Sequence, residues 1–293
     1  MDLTQALING VSGGLLIAVI GLAFATVYAS SGVFHLALAA IYLLAPLLTW
    51  SLRARDTPWF LAMPVVVLVS SALSVLCEAL NHRRLFRRKA SAIAHLISSL
   101  GIYLMLMHAG SMFWGDHTRV LGTSVDRTWT LGSAVVTETQ TAVVIVGVVC
   151  LVVYHVLMQK TPLGLDLRAI AANTAEAELR GINVPRLRLS AFGIAGALAA
   201  VAGILAALRT GFRPQDGGLP ALTLGVVAFI VGGRSSSGGL LIGGVVVGIV
   251  RSGAEYLSSS LWQDAVTYVL LGLFLVVRPQ GILGTQPARG SLA

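Results

Sequence analysis

Residues 3–52 read LTQALINGVSGGLLIAVIGLAFATVYASSGVFHLALAAIYLLAPLLTWSL and contain no aspartate, glutamate, lysine or arginine. A helix that crosses a membrane needs about 20 predominantly apolar residues to span about 30 Å of hydrocarbon. The stretch is therefore long enough for two helical passes. No lysine or arginine precedes Arg53, so the basic region of a cleavable signal peptide is missing and we expect the first helix to be retained.

The composition of the whole chain supports the same interpretation. The 293 residues are 56% hydrophobic and 11% charged, with a mean hydropathy of +0.85. Soluble domains carry about 25% charged residues, so a cytosolic enzyme, a disordered tail and a small secreted disulfide domain are excluded. Cys77 and Cys150 lie in apolar runs, which indicates buried thiols rather than a disulfide or a metal pair. The sequence predicts an all-α polytopic membrane protein, with residues 1–293 as one transmembrane domain.

Hydropathy and charge spacing predict about eight or nine transmembrane helices. The predicted spans are Leu7–Tyr28, Val33–Leu52, Trp59–Leu80, Ala90–Met112, Val136–Met158, Leu189–Leu208, Leu219–Gly233, Gly238–Val250 and Ala265–Val277. The run Gly238–Val250 is glycine-rich and short for the hydrocarbon thickness, which favours a short helix or a re-entrant segment. The last span has an alternative start near Tyr256.

Glycines recur at helical spacing within these apolar runs. The pairs are Gly193/Gly196, Gly239/Gly243 and Gly244/Gly248. Small residues at this spacing let membrane helices approach closely. We therefore predict helix packing for these glycines rather than exposure to a translocation path.

The net charge of +8 does not indicate nucleic-acid binding, because the basic residues are not gathered on a polar, solvated surface. Alternate loops divide the charge unevenly. One set, dominated by residues 83–89 and 160–188, carries 13 of the 20 basic and four of the 12 acidic residues. The positive-inside rule assigns these loops to the cytoplasm, and nine passes then place the C-terminus there too. Tryptophans favour membrane interfaces, and all of them fall near the predicted outer ends: Trp50, Trp59, Trp114, Trp129 and Trp262.

The loop Thr161–Arg188, TPLGLDLRAIAANTAEAELRGINVPRLR, has unusually clear helix start and stop signals. Thr161 before Pro162 is typical of a helix start. Asn173, with Glu176 three residues later, predicts a second start with a variant capping box, and Gly181 predicts its end. Two short helices meeting at Asn173 would form a polar elbow. Such an elbow is either a rigid docking surface or an ordinary linker whose caps prevent fraying.

Polar residues that could carry chemistry are sparse. The run 232–239, GGRSSSGG, lacks the Gly-Lys-Ser/Thr ending of a phosphate-binding loop. His35, His95 and His108 lie near or within spans, where a lone neutral imidazole more often joins two helices than acts in function. Their spacing does not predict a metal site. Glu78, near the Arg83–Lys89 cluster, predicts a salt bridge or a snorkelling side chain. We expect no catalytic residue, no metal and no cofactor on this chain.

Several motifs together carry a family resemblance. The elbow contains a TPLG start at Thr161–Gly164, an LRA core at Leu167–Ala169 and an LRGIN close at Leu179–Asn183. It resembles the cytoplasmic coupling loop of LivH-type permeases of bacterial branched-chain amino acid ABC importers. Further matches follow: Gly232, Gly233, Ser235 and Gly238; Gly243, Gly244 and Gly248; and the RPQGILG box, residues 278–284. The chain departs from the family pattern at His35–Ala39, which stands in place of an NFAHG-like stretch, at Arg234, and at Arg251 in place of glutamate.

The resemblance implies a type II ABC importer-like permease fold in the bacterial inner membrane. It implies a path for a branched-chain amino acid or a related small polar solute. It also implies a second related permease, two ATPases that bind ATP and Mg, and a periplasmic solute-binding protein. The implied ATPase contact comprises Arg168, Asn173, Glu176, Glu178, Leu179 and Gly181. The implied path candidates are His35, Ala37, Gly101, Gly232 and Gly233.

Two other classes of function remain open on the sequence alone. A stand-alone channel or proton-coupled secondary transporter would use His35 or Glu78 as its proton site. A membrane-embedded enzyme is disfavoured, because no paired carboxylates or histidine-rich metal spacing fall at a common depth.

Overall fold

A computed structural model describes residues 2–122, 127–131, 134–216, 218–233, 237–278 and 280–284. The helices are α1 Leu3–Ser31, α2 Ala37–Arg53, α3 Trp59–Cys77, α4 Arg83–Arg87, α5 Ala92–Trp114, α6 Glu138–Lys160, α7 Pro162–Ala172, α8 Thr174–Leu179, α9 Val184–Arg209, α10 Leu219–Gly232, α11 Ser237–Leu257 and α12 Trp262–Val277. A π-helical segment, Glu78–His82, joins α3 to α4, and a 3₁₀ turn, Pro214–Asp216, precedes α10. Strands β1 Thr128–Leu131 and β2 Ala134–Thr137 form an antiparallel hairpin.

Within these described ranges, seven helices are long and apolar enough to cross a membrane, and α2 and α12 are shorter apolar helices. The helical membrane protein predicted from composition is thereby confirmed. The start of α6 is fixed by a capping box, in which the side chains of Thr137 and Gln140 satisfy each other's backbone N–H groups. The span predicted from Val136 therefore begins at Glu138, and β2 occupies the residues just before it.

Helix α11 differs most from its prediction. The segment predicted as short, 238–250, is part of a 21-residue helix that continues to Leu257, a length sufficient to cross the hydrocarbon. Arg251, just beyond the predicted end at Val250, is paired, since its Nη1 lies 2.6 Å from Asp264 Oδ1 on α12. The last helix begins at Trp262, so the alternative start near Tyr256 is wrong.

Helix α1 lies at the centre of the bundle and packs against α9, α10 and α11. Glycines permit the closest of these contacts. A Cβ on Gly248 would lie 2.5 Å from the Cα of Gly14, and one on Gly244 would lie 2.7 Å from the Gly14 carbonyl oxygen. Gly196 approaches Ser74 of α3 in the same way. The packing role predicted for these glycines is confirmed, and we call the contact of Gly10 and Gly14 with Gly244 and Gly248 the α1–α11 seam.

The two strongly basic loops lie at one end of the bundle, as their alternation predicts. The Arg188 guanidinium stacks 3.8 Å from the ring centroid of Phe86, which joins the start of α9 to α4. We call this the basic end. At the opposite end, Trp114 Nε1 donates to Ser51 Oγ at 2.5 Å, and the Arg53 guanidinium lies over Trp59.

Candidate functional site

The Thr161–Arg188 elbow consists of α7 and α8. Thr161 Oγ1 accepts from the Gly164 N–H at 3.1 Å, and Asn173 Oδ1 accepts from the Glu176 N–H at 3.2 Å. Both predicted N-caps are confirmed. The predicted capping box at Asn173 is not formed, because the Asn173 N–H donates to the Ala169 carbonyl and closes the last turn of α7. The Glu176 carboxylate instead pairs with Arg180.

The end of α8 is equally well defined. Gly181 adopts φ +83°, and the Ile182 N–H donates to the Ala177 carbonyl at 3.1 Å. Together these features form a Schellman-type stop. Asn183 then caps α9 by accepting from the Arg186 N–H at 3.2 Å. Every helix end in the elbow is therefore closed by hydrogen bonds, which restrains its shape.

The underside of the elbow is anchored to the bundle. Its buried apolar side chains pack with Met158 and Ala191 in one cluster; they are Leu167, Ile170, Ala177, Val184 and Leu187. Gly164 rests on the end of α6, where a Cβ would lie 2.6 Å from Met158 Cα and closer to the carbonyl oxygens of Leu157 and Met158. Only glycine permits this approach. The elbow is thus fixed directly to α6 and α9.

The opposite face of the elbow is open to its surroundings. All six residues predicted to contact an ATPase are exposed: Arg168, Asn173, Glu176, Glu178, Leu179 and Gly181. Leu179 is 90% exposed at the tip of α8. Arg168 differs from the others, because its Nη1 donates to Gln159 Oε1 at 3.0 Å and its side chain turns back toward α6.

The five residues predicted for the path lie in separate places. His35 and Ala37 are buried around the start of α2, while Gly101 lies on the exposed surface of α5. Gly232 and Gly233 end α10 at the basic end, and Gly233 lines a cavity of about 460 Å³ together with residues of α1, α6 and α7. Thr26 and Tyr154, which hydrogen-bond to each other at 3.0 Å, also line this cavity.

The paired glycines also hold the C-terminal box. The Ile282 N–H donates to the Val231 carbonyl at 2.8 Å, and the Leu283 N–H donates to the Gly232 carbonyl at 3.1 Å. Two motifs far apart in the sequence therefore form one packed unit at the end of α10.

A chain of three buried histidines at the basic end was missed by sequence reasoning. His35 Nδ1 lies 3.0 Å from His82 Nε2, and His82 Nδ1 lies 3.0 Å from His95 Nδ1. His35 precedes α2, His82 ends the π-helical segment and His95 lies in the first turn of α5. A signal was available, because the up-and-down order of helices places these three positions at one end. His82 lies between the predicted spans Trp59–Leu80 and Ala90–Met112 and was not singled out.

Glu78 lies in the same π-helical segment and is only 2% exposed. Among the described residues no basic side chain forms a salt bridge with Glu78, and its burial is incompatible with snorkelling, so the prediction for this residue is wrong. Its Oε2 has no hydrogen-bond partner among those residues. The π-helical segment buries Glu78 in the bundle, near Arg188 and Arg83.

Sequence comparison places the chain among transport proteins. Residues 6–277 match the family described as the permease component of branched-chain amino acid transport systems. The high-affinity branched-chain amino acid permease LivH of Escherichia coli is 29% identical, with 96% of this chain and 95% of the relative covered. BraD of Pseudomonas aeruginosa is 25% identical with the same coverage. The ribose import permease RbsC of Haemophilus influenzae is 24% identical over 86% of this chain and 77% of its own.

No solved structure matches the chain. The family match covers nearly all the membrane helices together with the capped elbow. The chain therefore belongs to the permease family of branched-chain amino acid ABC importers, and it is a multi-pass membrane protein of that family.

Proposed function

We propose that this chain is a permease subunit of an ABC importer and that ATPase subunits dock on its elbow. The observation that carries the proposal is the two-sided elbow: one face is buried on α6 and α9, and the other is exposed. A docked motor can move the bundle through such an element, because force on α7 and α8 is transmitted to two membrane helices. The positive-inside rule assigns the basic end, and the elbow with it, to the cytoplasm.

The proposed substrate is a branched-chain amino acid or a related small polar solute. LivH and BraD, which are named for branched-chain amino acids, match 96% of the chain, whereas the ribose permease matches a smaller share, 86%. The complete transporter would contain a second related permease, two ATPases carrying ATP and Mg, and a periplasmic binding protein in the bacterial inner membrane. The apolar outer faces of α3, α5 and α12 suit lipid and the second permease.

ATP-driven closure of the ATPase pair would push on the elbow and shift the bundle between inward-open and outward-open states. No bond in the substrate is made or broken by this chain. Competition of leucine, valine, isoleucine and ribose for labelled leucine uptake measures the substrate class. Competition by ribose alone would contradict the amino-acid assignment.

The elbow is tested by Leu179→Asp. A charged side chain at a 90% exposed apolar tip leaves folding intact but removes an apolar contact from the proposed interface. We expect binding of co-expressed ATPase subunits to fall at least about tenfold, since an interface anchor contributes about 2 kcal/mol or more. The measurement is the amount of ATPase retained on the immobilised full-length permease.

Leu261→Asp is the matched control, because Leu261 is 88% exposed at the opposite end of the bundle. It should retain the ATPase at the unaltered level. Equal retention by both variants would disprove the docking surface. Solute uptake driven by a pH gradient, in vesicles that contain this chain without ATPases, would instead support a secondary transporter.

A further inference from the structure

The geometry of the histidine chain His35–His82–His95 limits the number of protons that its three rings can hold. Each N···N contact of 3.0 Å holds one hydrogen, because one nitrogen must donate and the other accept. His82 uses both ring nitrogens, so as a neutral ring it donates to one neighbour and accepts from the other. Two arrangements satisfy this requirement. They differ in the direction of both hydrogen bonds and in which end of the chain carries the remaining hydrogen.

The histidine chain ends in one ring nitrogen on each side. His35 Nε2 and His95 Nε2 are buried and have no partner among the described residues. In the neutral chain, one of these atoms carries a hydrogen and the other offers a lone pair. One added proton can therefore bind at the free end while both internal hydrogen bonds persist. A second added proton would place two hydrogens in one contact and break it.

The surroundings oppose charge on these rings. His35 and His82 are fully buried and pack against Phe192, and His95 packs against Phe86. Burial, and then the neighbouring His82, hold the pKa of His35 well below its usual range. Neutral rings are therefore favoured near pH 7.

Arg188 links the histidine chain to a buried carboxyl group. Glu78 of the π-helical segment is buried near Arg83 of α4 and Arg188 of α9, and Arg188 also acts on His95. On α5 and on the connection before α2, the polar groups nearest to the histidine chain are uncharged. One of them is Ser99, whose Oγ donates to the Phe34 carbonyl at 3.1 Å.

A single side chain, Phe86, connects the histidine chain to the elbow. Phe86 has the His95 ring on one side, at 4.3 Å between centroids, and the Arg188 guanidinium at 3.8 Å. Arg188 closes the elbow segment at the start of α9. A positive charge on His95 would repel Arg188 across this contact.

We propose that His35, His82 and His95 together form a buried site for one shared proton, and that its occupancy alters the seating of α9 and the elbow. Because burial favours the neutral ring of His35, this residue holds fewer protons in the folded than in the unfolded protein below about pH 6.5. The contribution of His35 to stability is therefore highest above that pH and falls as the pH decreases below it. Proton uptake then couples acidification to the elbow, and with it to transport.

The direct test is nitrogen-15 NMR of the full-length protein labelled in its histidine rings. We expect N–N couplings across both hydrogen bonds at pH 7.5, and one common midpoint for all three rings as the pH is lowered. The exposed His117 is the internal reference. Absent couplings, or three separate midpoints, would overturn the shared site. This measurement requires no transport, so it does not depend on the proposed function.

The variant test uses His82→Gln, which removes the central ring. We expect the common midpoint of His35 and His95 to be lost, and the pH dependence of ATP-driven uptake between about pH 6.5 and 4.5 to flatten from about tenfold to about twofold. His108→Gln, on the exposed face of α5, should keep the unaltered profile. A profile identical to wild type in His82→Gln would refute the link to the elbow. If this variant does not fold, the N–N couplings and titration midpoints of the unaltered protein decide whether the shared proton site exists.

Discussion

Replacing Gly248 with alanine should strongly destabilise the bundle, because α1 and α11 touch at this position through their backbones. The new Cβ would lie 2.5 Å from Gly14 Cα and closer still to the Gly10 carbonyl oxygen. Both are backbone atoms of the central helix, so the clash is relieved only if α1 and α11 separate. Overpacking costs about 1–3 kcal/mol, and we expect the upper end of that range.

The measurement is thermal unfolding of the purified protein, together with the fraction recovered as a single species. Gly253→Ala is the matched control on the same helix, because its Cβ would meet nothing within 4 Å. This control should be neutral or more stable by about 0.5–1 kcal/mol, since alanine is the better helix former. Equal stability of the two variants would mean that the α1–α11 seam is not packed as described.

Gly164→Ala should uncouple the elbow while leaving most of the bundle intact. Its Cβ would collide with the Leu157 and Met158 carbonyl groups at the end of α6, so α7 must lift away from the membrane helix. We expect ATP-driven uptake to fall at least about tenfold, because the coupling free energy between two sites is typically about 1–3 kcal/mol and this contact would carry it.

Uptake per folded molecule, with ATP hydrolysis recorded in parallel, measures this uncoupling. Gly272→Ala on α12, where a Cβ would have open space, is the control and should transport normally. Wild-type uptake by Gly164→Ala would show that the elbow tolerates displacement and would count against its role in coupling.

Local features of the site were predictable from the sequence because their causes are local. The Thr161 and Asn173 caps depend on residues three positions apart, and the Gly181 stop depends on a glycine adopting positive φ. Hydropathy located the membrane helices for the same reason. The failed capping box at Asn173 arose from a competing acceptor one turn earlier, at Ala169, which a motif search does not weigh.

Non-local contacts were beyond the reach of the same reasoning. His82 lies beyond the end of the predicted span Trp59–Leu80, whereas the π-helical segment extends the helix through His82 and buries this residue. Glu78 was predicted to form a salt bridge or to snorkel because the basic cluster follows it in the sequence, and it is instead buried. The span predicted to end at Val250 continues through Arg251, whose charge is compensated by Asp264 on the next helix.

The sequence by itself determined that this protein lies in a membrane, and it determined the approximate number of helices, the basic end and the capped elbow. Each follows from composition or from spacings of a few residues, where hydrophobic transfer and backbone hydrogen bonding act along the chain. Only the tertiary structure decided that three histidines meet, that four glycines form one seam, and that the paired glycines of α10 hold the C-terminal box. These contacts depend on how helices distant in sequence pack against each other, and that packing is set by the whole bundle at once.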